Sequence, residues 1–155
     1  MKAAGEGSGV AIRDTYRHPR TAGGHVPLMK LSAPQMVASA KAHIENLSPD
    51  AVAAELQSTS VTLVDLREPE ERLESGLLPG AIHAPRGMLE FYADPSSPYH
   101  REEFNPDSRI ILISASGRRS ALAVETLLRM GFHNVAHLDG GLNAWIAQGL
   151  PIDDG

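Results

Sequence analysis

The sequence predicts an α/β fold, an open parallel β-sheet with helices on both faces, built as one domain. Three observations lead there. Short apolar runs rich in β-branched residues, Val61–Leu66, Ile110–Ile113 and Asn134–Leu138, alternate with amphipathic stretches of helical period. Strands separated by helices pair in parallel through right-handed crossovers. A chain of 155 residues that is 42% hydrophobic matches one core of ordinary domain size. Finally, the stretch from Ile110 to Met130 passes from an apolar strand through a loop of small residues into a helix, a unit that open α/β sheets use where their ligands bind.

Taken in order, residues 1–31 carry scattered Gly, Pro and Arg without a sustained period and read as an extended or flexible arm, leaving 32–155 as the domain. Ser32 and Pro34 can open a helix with Met36, Val37, Ala40 and Ile44 on one face, which lies against the domain or against a second copy of the chain in a homodimer. Ser48-Pro49 repeats the cap signature before Ala51–Leu56, and the first strand, Val61–Leu66, follows. Asp65 and Arg67 stand near its C-terminal end and read as a structural ion pair ahead of a chemical role. Glu68, Glu70, Glu71 and Glu74 read as a solvated helix face. Ala81–Ala84 is a short strand, Pro85-Arg86-Gly87 a turn, and Asp94–Asp107 a surface loop.

Beyond the central loop, Ser120–Met130 reads as a helix whose apolar face is Ala121, Leu122, Val124, Leu127 and Leu128, ended by Gly131. His133 and His137 are four apart, on or beside the last strand, but no third ligand accompanies them, so no metal is expected. Gly140-Gly141 makes a turn, and Leu142, Trp145 and Ile146 are core packing.

The loop Ser114-Ala115-Ser116-Gly117-Arg118-Arg119 carries the chemistry. Successive backbone N–H groups in so tight a turn, followed by the positive end of a helix dipole and reinforced by two arginines, form an anion-binding geometry. A Walker loop is excluded because no Gly-Lys-Ser/Thr follows. A formal net charge of −5 argues against nucleic acid or an acidic membrane surface as partner. No apolar run reaches the ~18–20 residues that span a bilayer, and a cytoplasmic protein is expected. There is no cysteine, which excludes disulfides and thiolate ligands.

Ser-Ala-Ser-Gly-Arg-Arg-Ser resembles the active-site loop of the rhodanese-like sulfurtransferases, Cys-x-x-Gly-x-Arg-Ser, with Ser114 at the cysteine position and Gly117, Arg119 and Ser120 matching. Val64–Pro69, Pro79–Phe91 and Leu138–Trp145 resemble further blocks of small single-domain bacterial members, so the likeness runs from about Leu47 to Pro151. It implies the fold predicted above, no cofactor, and sulfur transfer: a thiolate attacks the outer sulfur of thiosulfate, expels sulfite, and delivers the persulfide sulfur to cyanide or a thiol. It also implies that Asp65 and Arg67 brace the site and that Arg86 borders the pocket rim or braces a loop. Phosphatases of this fold have five residues between Cys and Arg; here four separate Ser114 from Arg119, the sulfurtransferase length. A serine carries no persulfide, and no sequence signature assigns it a general base. The resemblance therefore implies a sulfurtransferase scaffold inactive as given, an engineered Cys-to-Ser form, in which Ala115, Ser116, Gly117, Arg118, Arg119 and Ser120 bind a small sulfur-containing oxyanion. The alternative is a naturally non-catalytic domain that binds an oxyanion or a protein partner.

Overall fold

In the computed structural model, which describes residues 30–154, the parallel sheet is built around Ile110–Ile113, four residues with no solvent exposure. Its strands are β1 (Glu45–Leu47), β2 (Thr62–Asp65), β3 (Ile82–His83), β4 (Ile110–Ile113) and β5 (Val135–Leu138), in the spatial order β1-β5-β4-β2-β3. All pair in parallel. The helices are α1 (Ala33–Lys41), α2 (Pro49–Ser58), α3 (Pro69–Ser75), α4 (Leu89–Ala93), α5 (Arg118–Arg129) and α6 (Gly141–Ala147). The arm expected over residues 1–31 lies outside the described residues, apart from Lys30 and Leu31. Among the described residues no helix is long and apolar enough to cross a membrane.

Alternation along the strands divides the core in two, because successive side chains point to opposite faces. Val64, Ile110 and Leu112 pack with Leu89 and Ala93 of α4 and with Ala123, Val124 and Leu127 of α5. Leu63, Ile111 and Ile113 pack on the other face with Val52 of α2 and with Leu142 and Trp145 of α6. Each fully buried Val, Leu or Ile among them contributes about 1.5–3 kcal/mol. The α1 helix lies along α5, so the domain itself covers part of its face.

The structure moves some expected boundaries. Helix α5 begins at Arg118, two residues before Ser120, because Gly117 turns the chain at φ 88° and its carbonyl already accepts the N–H of Ala121. Both loop arginines are thus first-turn helix residues. At the other end Gly131, at φ 105°, closes a Schellman motif: its N–H donates to Leu128 and that of Phe132 to Leu127. Leu128 and Ile146, expected in the core, are partly exposed at 36% and 42%. Strand β1 was not anticipated, since Glu45-Asn46-Leu47 is short and polar and owes its conformation to its neighbour β5.

Candidate functional site

The C-terminal ends of β2, β4 and β5 lie side by side, and the loop after β4 sits over them. Its backbone is oriented by α6. The N–H groups of Leu142 and Asn143 donate to the carbonyls of Ser114 (2.9 Å) and Ala115 (3.0 Å). A trans peptide sets each N–H opposite the preceding C=O, so the N–H groups of Ala115 and Ser116 are turned away from α6. Among the described residues, no acceptor takes the N–H groups of Ala115, Ser116, Gly117, Arg118 or Arg119. The fit is backbone against backbone: a Cβ on Gly141 would come within 2.6 Å of the Ser114 carbonyl oxygen, and one on Gly117 within 3.0 Å of the Gly140 nitrogen. Only glycine permits these approaches.

Ser114 is 1% exposed at the base of this loop. Its Oγ accepts the Ser120 N–H (3.1 Å) and its hydroxyl donates to Ser120 Oγ (3.1 Å). Ser120 Oγ lies 2.8 Å from His137 Nδ1, and His137 Nε2 lies 2.7 Å from Asn46 Oδ1. Asn46 and His137 are register partners of β1 and β5. The histidine is fully buried, and desolvation lowers its pKa to about 4, against the raising influence of Asp139 and with a lowering one from Lys41. It is therefore neutral at physiological pH.

The other flank of the loop is ionic. Arg119 pairs bidentately with Glu71 of α3 (2.7 and 2.9 Å), and that guanidinium, ahead of other causes, lowers the Glu71 pKa to about 2. Glu71, expected on a solvated face, thus ties α3 to the first turn of α5. Deeper, the Asp65 carboxylate accepts from the Arg67 Nε (3.1 Å), Nη2 (2.9 Å) and backbone N–H (3.0 Å), while Arg67 also donates to the Glu71 and Gly76 carbonyls. Both side chains are 1% exposed and their hydrogen-bonding groups are occupied, an arrangement that braces the chain between β2 and α3.

Arg118 is exposed beside the loop. Arg86 is held by Glu90 (2.9 Å) and by Thr126 (3.3 Å), well along α5 from the loop, and so braces α4 against α5. A cavity of about 500 Å³ lies between α1 and α5, lined by Pro34, Val37 and Leu122 with Lys41, Arg118 and Arg119. His133 and His137 part company: His133 is exposed, precedes β5 and faces Asp107. Among the described residues no group of three or more His, Asp or Glu is placed to hold a metal ion. Sequence reasoning passed over His137 and Asn46 as site residues. The available signal was a histidine inside an apolar run near a strand's C-terminal end.

Residues 48–148 match the rhodanese-like domain family, and the chain belongs to it. It is 30% identical over 110 residues to a sulfurtransferase of Allochromatium vinosum, covering 70% of this chain and 94% of that protein. A protein of unknown function and possible tyrosine phosphatase from Rhodopseudomonas palustris superposes with a TM-score of 0.78 at 38% identity, over 84% of this chain and all of that one. The polysulfide-sulfur transferase homodimer from Wolinella succinogenes gives a TM-score of 0.62 at 30% identity, over 77% and 85% of the two chains.

Proposed function

We propose that this rhodanese-like domain uses the loop from Ser114 to Ser120 to hold a small tetrahedral or thio-oxyanion, sulfate, phosphate or thiosulfate, and that Ser114 leaves it without persulfide chemistry. One observation carries the reading: α6 fixes the loop's carbonyls, and the N–H groups of five successive residues have no acceptor among the described residues. Those N–H groups and the positive end of α5 favour an anion. Titration with sulfate or thiosulfate, followed by amide NMR, is expected to move resonances between Ala115 and Ser120 at millimolar concentrations. Unmoved amides overturn the proposal.

The scaffold is that of a sulfurtransferase, so Ser114→Cys is expected to take up one sulfur atom from thiosulfate, about 32 Da, with release of sulfite, at a pH where the thiol ionises. Thiocyanate formation from cyanide completes the assay. A folded cysteine variant that takes up no sulfur even at pH 10 replaces this reading with a plain binding module. The phosphatase activity considered for the Rhodopseudomonas protein fits less well, because the loop here is one residue short of the phosphatase length and lacks the cysteine.

A natural serine, rather than an engineered one, is favoured by a single feature. The Ser114 hydroxyl both donates and accepts in a chain of buried hydrogen bonds, as a hydroxyl does well and a thiol weakly. The codon for residue 114 in the native gene decides between them.

A further inference from the structure

The hydrogen-bond chain behind Ser114 has a direction, and it can be read from its far end. Asn46 Nδ2 donates to the carbonyls of Lys41 (3.0 Å) and Ile44 (3.2 Å), so the amide presents its oxygen to His137. An amide oxygen only accepts, which places the proton of the neutral imidazole on Nε2 and leaves Nδ1 a bare acceptor. Ser120 must then donate its only hydroxyl proton to Nδ1, and it turns a lone pair toward residue 114. Residue 114 is thereby required to donate, as the Ser114 hydroxyl does.

We propose that His137 and Asn46 are positioning residues that, through Ser120, hold the side chain at position 114 in its protonated, neutral form, and so assign the loop to binding an external oxyanion instead of generating a nucleophile. A thiolate at 114 would meet the Ser120 lone pair. To turn the Ser120 proton toward that thiolate, the protein must leave buried Nδ1 without a donor. The other route moves the imidazole proton to Nδ1 and sets the Nε2 lone pair against Asn46 Oδ1. The first change breaks a satisfied buried bond and the second a partly buried one. A neutral residue 114 also adds no negative charge to the loop that would repel an incoming anion. Asn46 lies two residues before the 48–148 segment that matches the family, on strand β1 of the same sheet.

The charged groups around the chain are few. Lys41 and Asp139, paired at 2.8 Å, act on His137 with opposite sign, and Arg118 and the Glu71-paired Arg119 begin the helix that carries Ser120. The arginines and the helix dipole favour a thiolate at 114; the direction of the chain opposes it.

This inference deepens the proposed function but fails separately from it. In the unmodified protein, nitrogen NMR of the His137 ring at pH 7 is expected to show Nε2 protonated and Nδ1 bare; the reverse tautomer overturns the proposal. In Ser114→Cys, the thiol is expected to titrate at or above the ordinary ~8.5 despite the loop amides. Adding His137→Leu frees the Ser120 proton for the sulfur and is expected to lower the thiol pKa by a unit or more. Sulfur uptake then shifts to correspondingly lower pH. His137→Asn supplies a second route should the leucine variant not fold: its amide can donate to Ser120 Oγ, which turns the Ser120 proton toward the sulfur, and the thiol pKa again falls. A Ser114→Cys thiol that already titrates well below neutrality, or that neither second substitution moves, overturns the inference while leaving anion binding and sulfur uptake as tests of the function itself.

Discussion

The two flanks of the loop solve one problem with opposite chemistry. On the β2 side, Asp65 with Arg67 and Glu71 with Arg119 form two ion pairs, joined where Arg67 donates to the Glu71 backbone carbonyl. On the β5 side, Ser114, Ser120, His137 and Asn46 form a chain of neutral groups, each satisfied by the next. The ionic flank braces helices, and only its Glu71–Arg119 rim is reached by solvent. The neutral flank reaches Ser114 at the base of the loop, and on our proposal its proton order sets the form of that side chain. Charge therefore fixes the frame here, while the direction of neutral hydrogen bonds fixes the chemistry.

The comparison breaks first at its most buried charge. Arg67→Ala leaves the buried Asp65 carboxylate with only the longer contact from the partly exposed Arg72, at 3.3 Å, and is expected to cost about 3 kcal/mol, measured by urea or thermal unfolding. Replacing both partners by apolar residues of similar size should recover much of that loss. On the neutral flank, His137→Leu removes one acceptor and strands the Ser120 hydroxyl proton, an expected cost of about 1–3 kcal/mol in the same assay.

Acid separates the flanks by pH window. His137 has a folded pKa of about 4, below the ordinary 6.5, so the unfolded chain binds more protons between those values. Its contribution is complete above pH 6.5 and is lost as pH falls toward 4. The Glu71 carboxylate, held at about 2 against 4.5, contributes fully above pH 4.5 and loses that contribution as pH falls through 2. Thermal midpoints of the protein should therefore decline in the first window, and His137→Leu should flatten that decline without altering the second. The smallest effect belongs to the rim: Glu71→Gln weakens a partly exposed pair and should cost no more than about 1 kcal/mol.

The same contrast explains what could be read from the sequence. Asp65, Arg67 and the Glu68–Glu74 cluster announce themselves as charges close together in the chain, and the parallel sheet follows from apolar runs such as Ile110–Ile113. The loop likewise is contiguous and was legible, although Gly117 starts its helix two residues sooner than the apolar period implied. Residues 46, 114, 120 and 137 are uncharged at neutral pH and far apart in sequence. Only the register of β1 against β5 brings Asn46 to His137, and β1 has no apolar pattern of its own to reveal it.

The approach of Gly117 and Gly141 to neighbouring main chain carries a consequence for how such a domain diversifies. Main-chain atoms hold the Ser114 and Ala115 carbonyls in place, so the side chains of residues 115 and 116 are not needed for that part of the loop's shape. Such a loop works like a tool holder whose bit is exchangeable: descent can trade serine for cysteine at the base, or alter the lip at Ser116 and Arg118, without having to find the curve of the backbone again. The shape of the loop rests on glycines at its close main-chain contacts, and the side chains around them are left free to change.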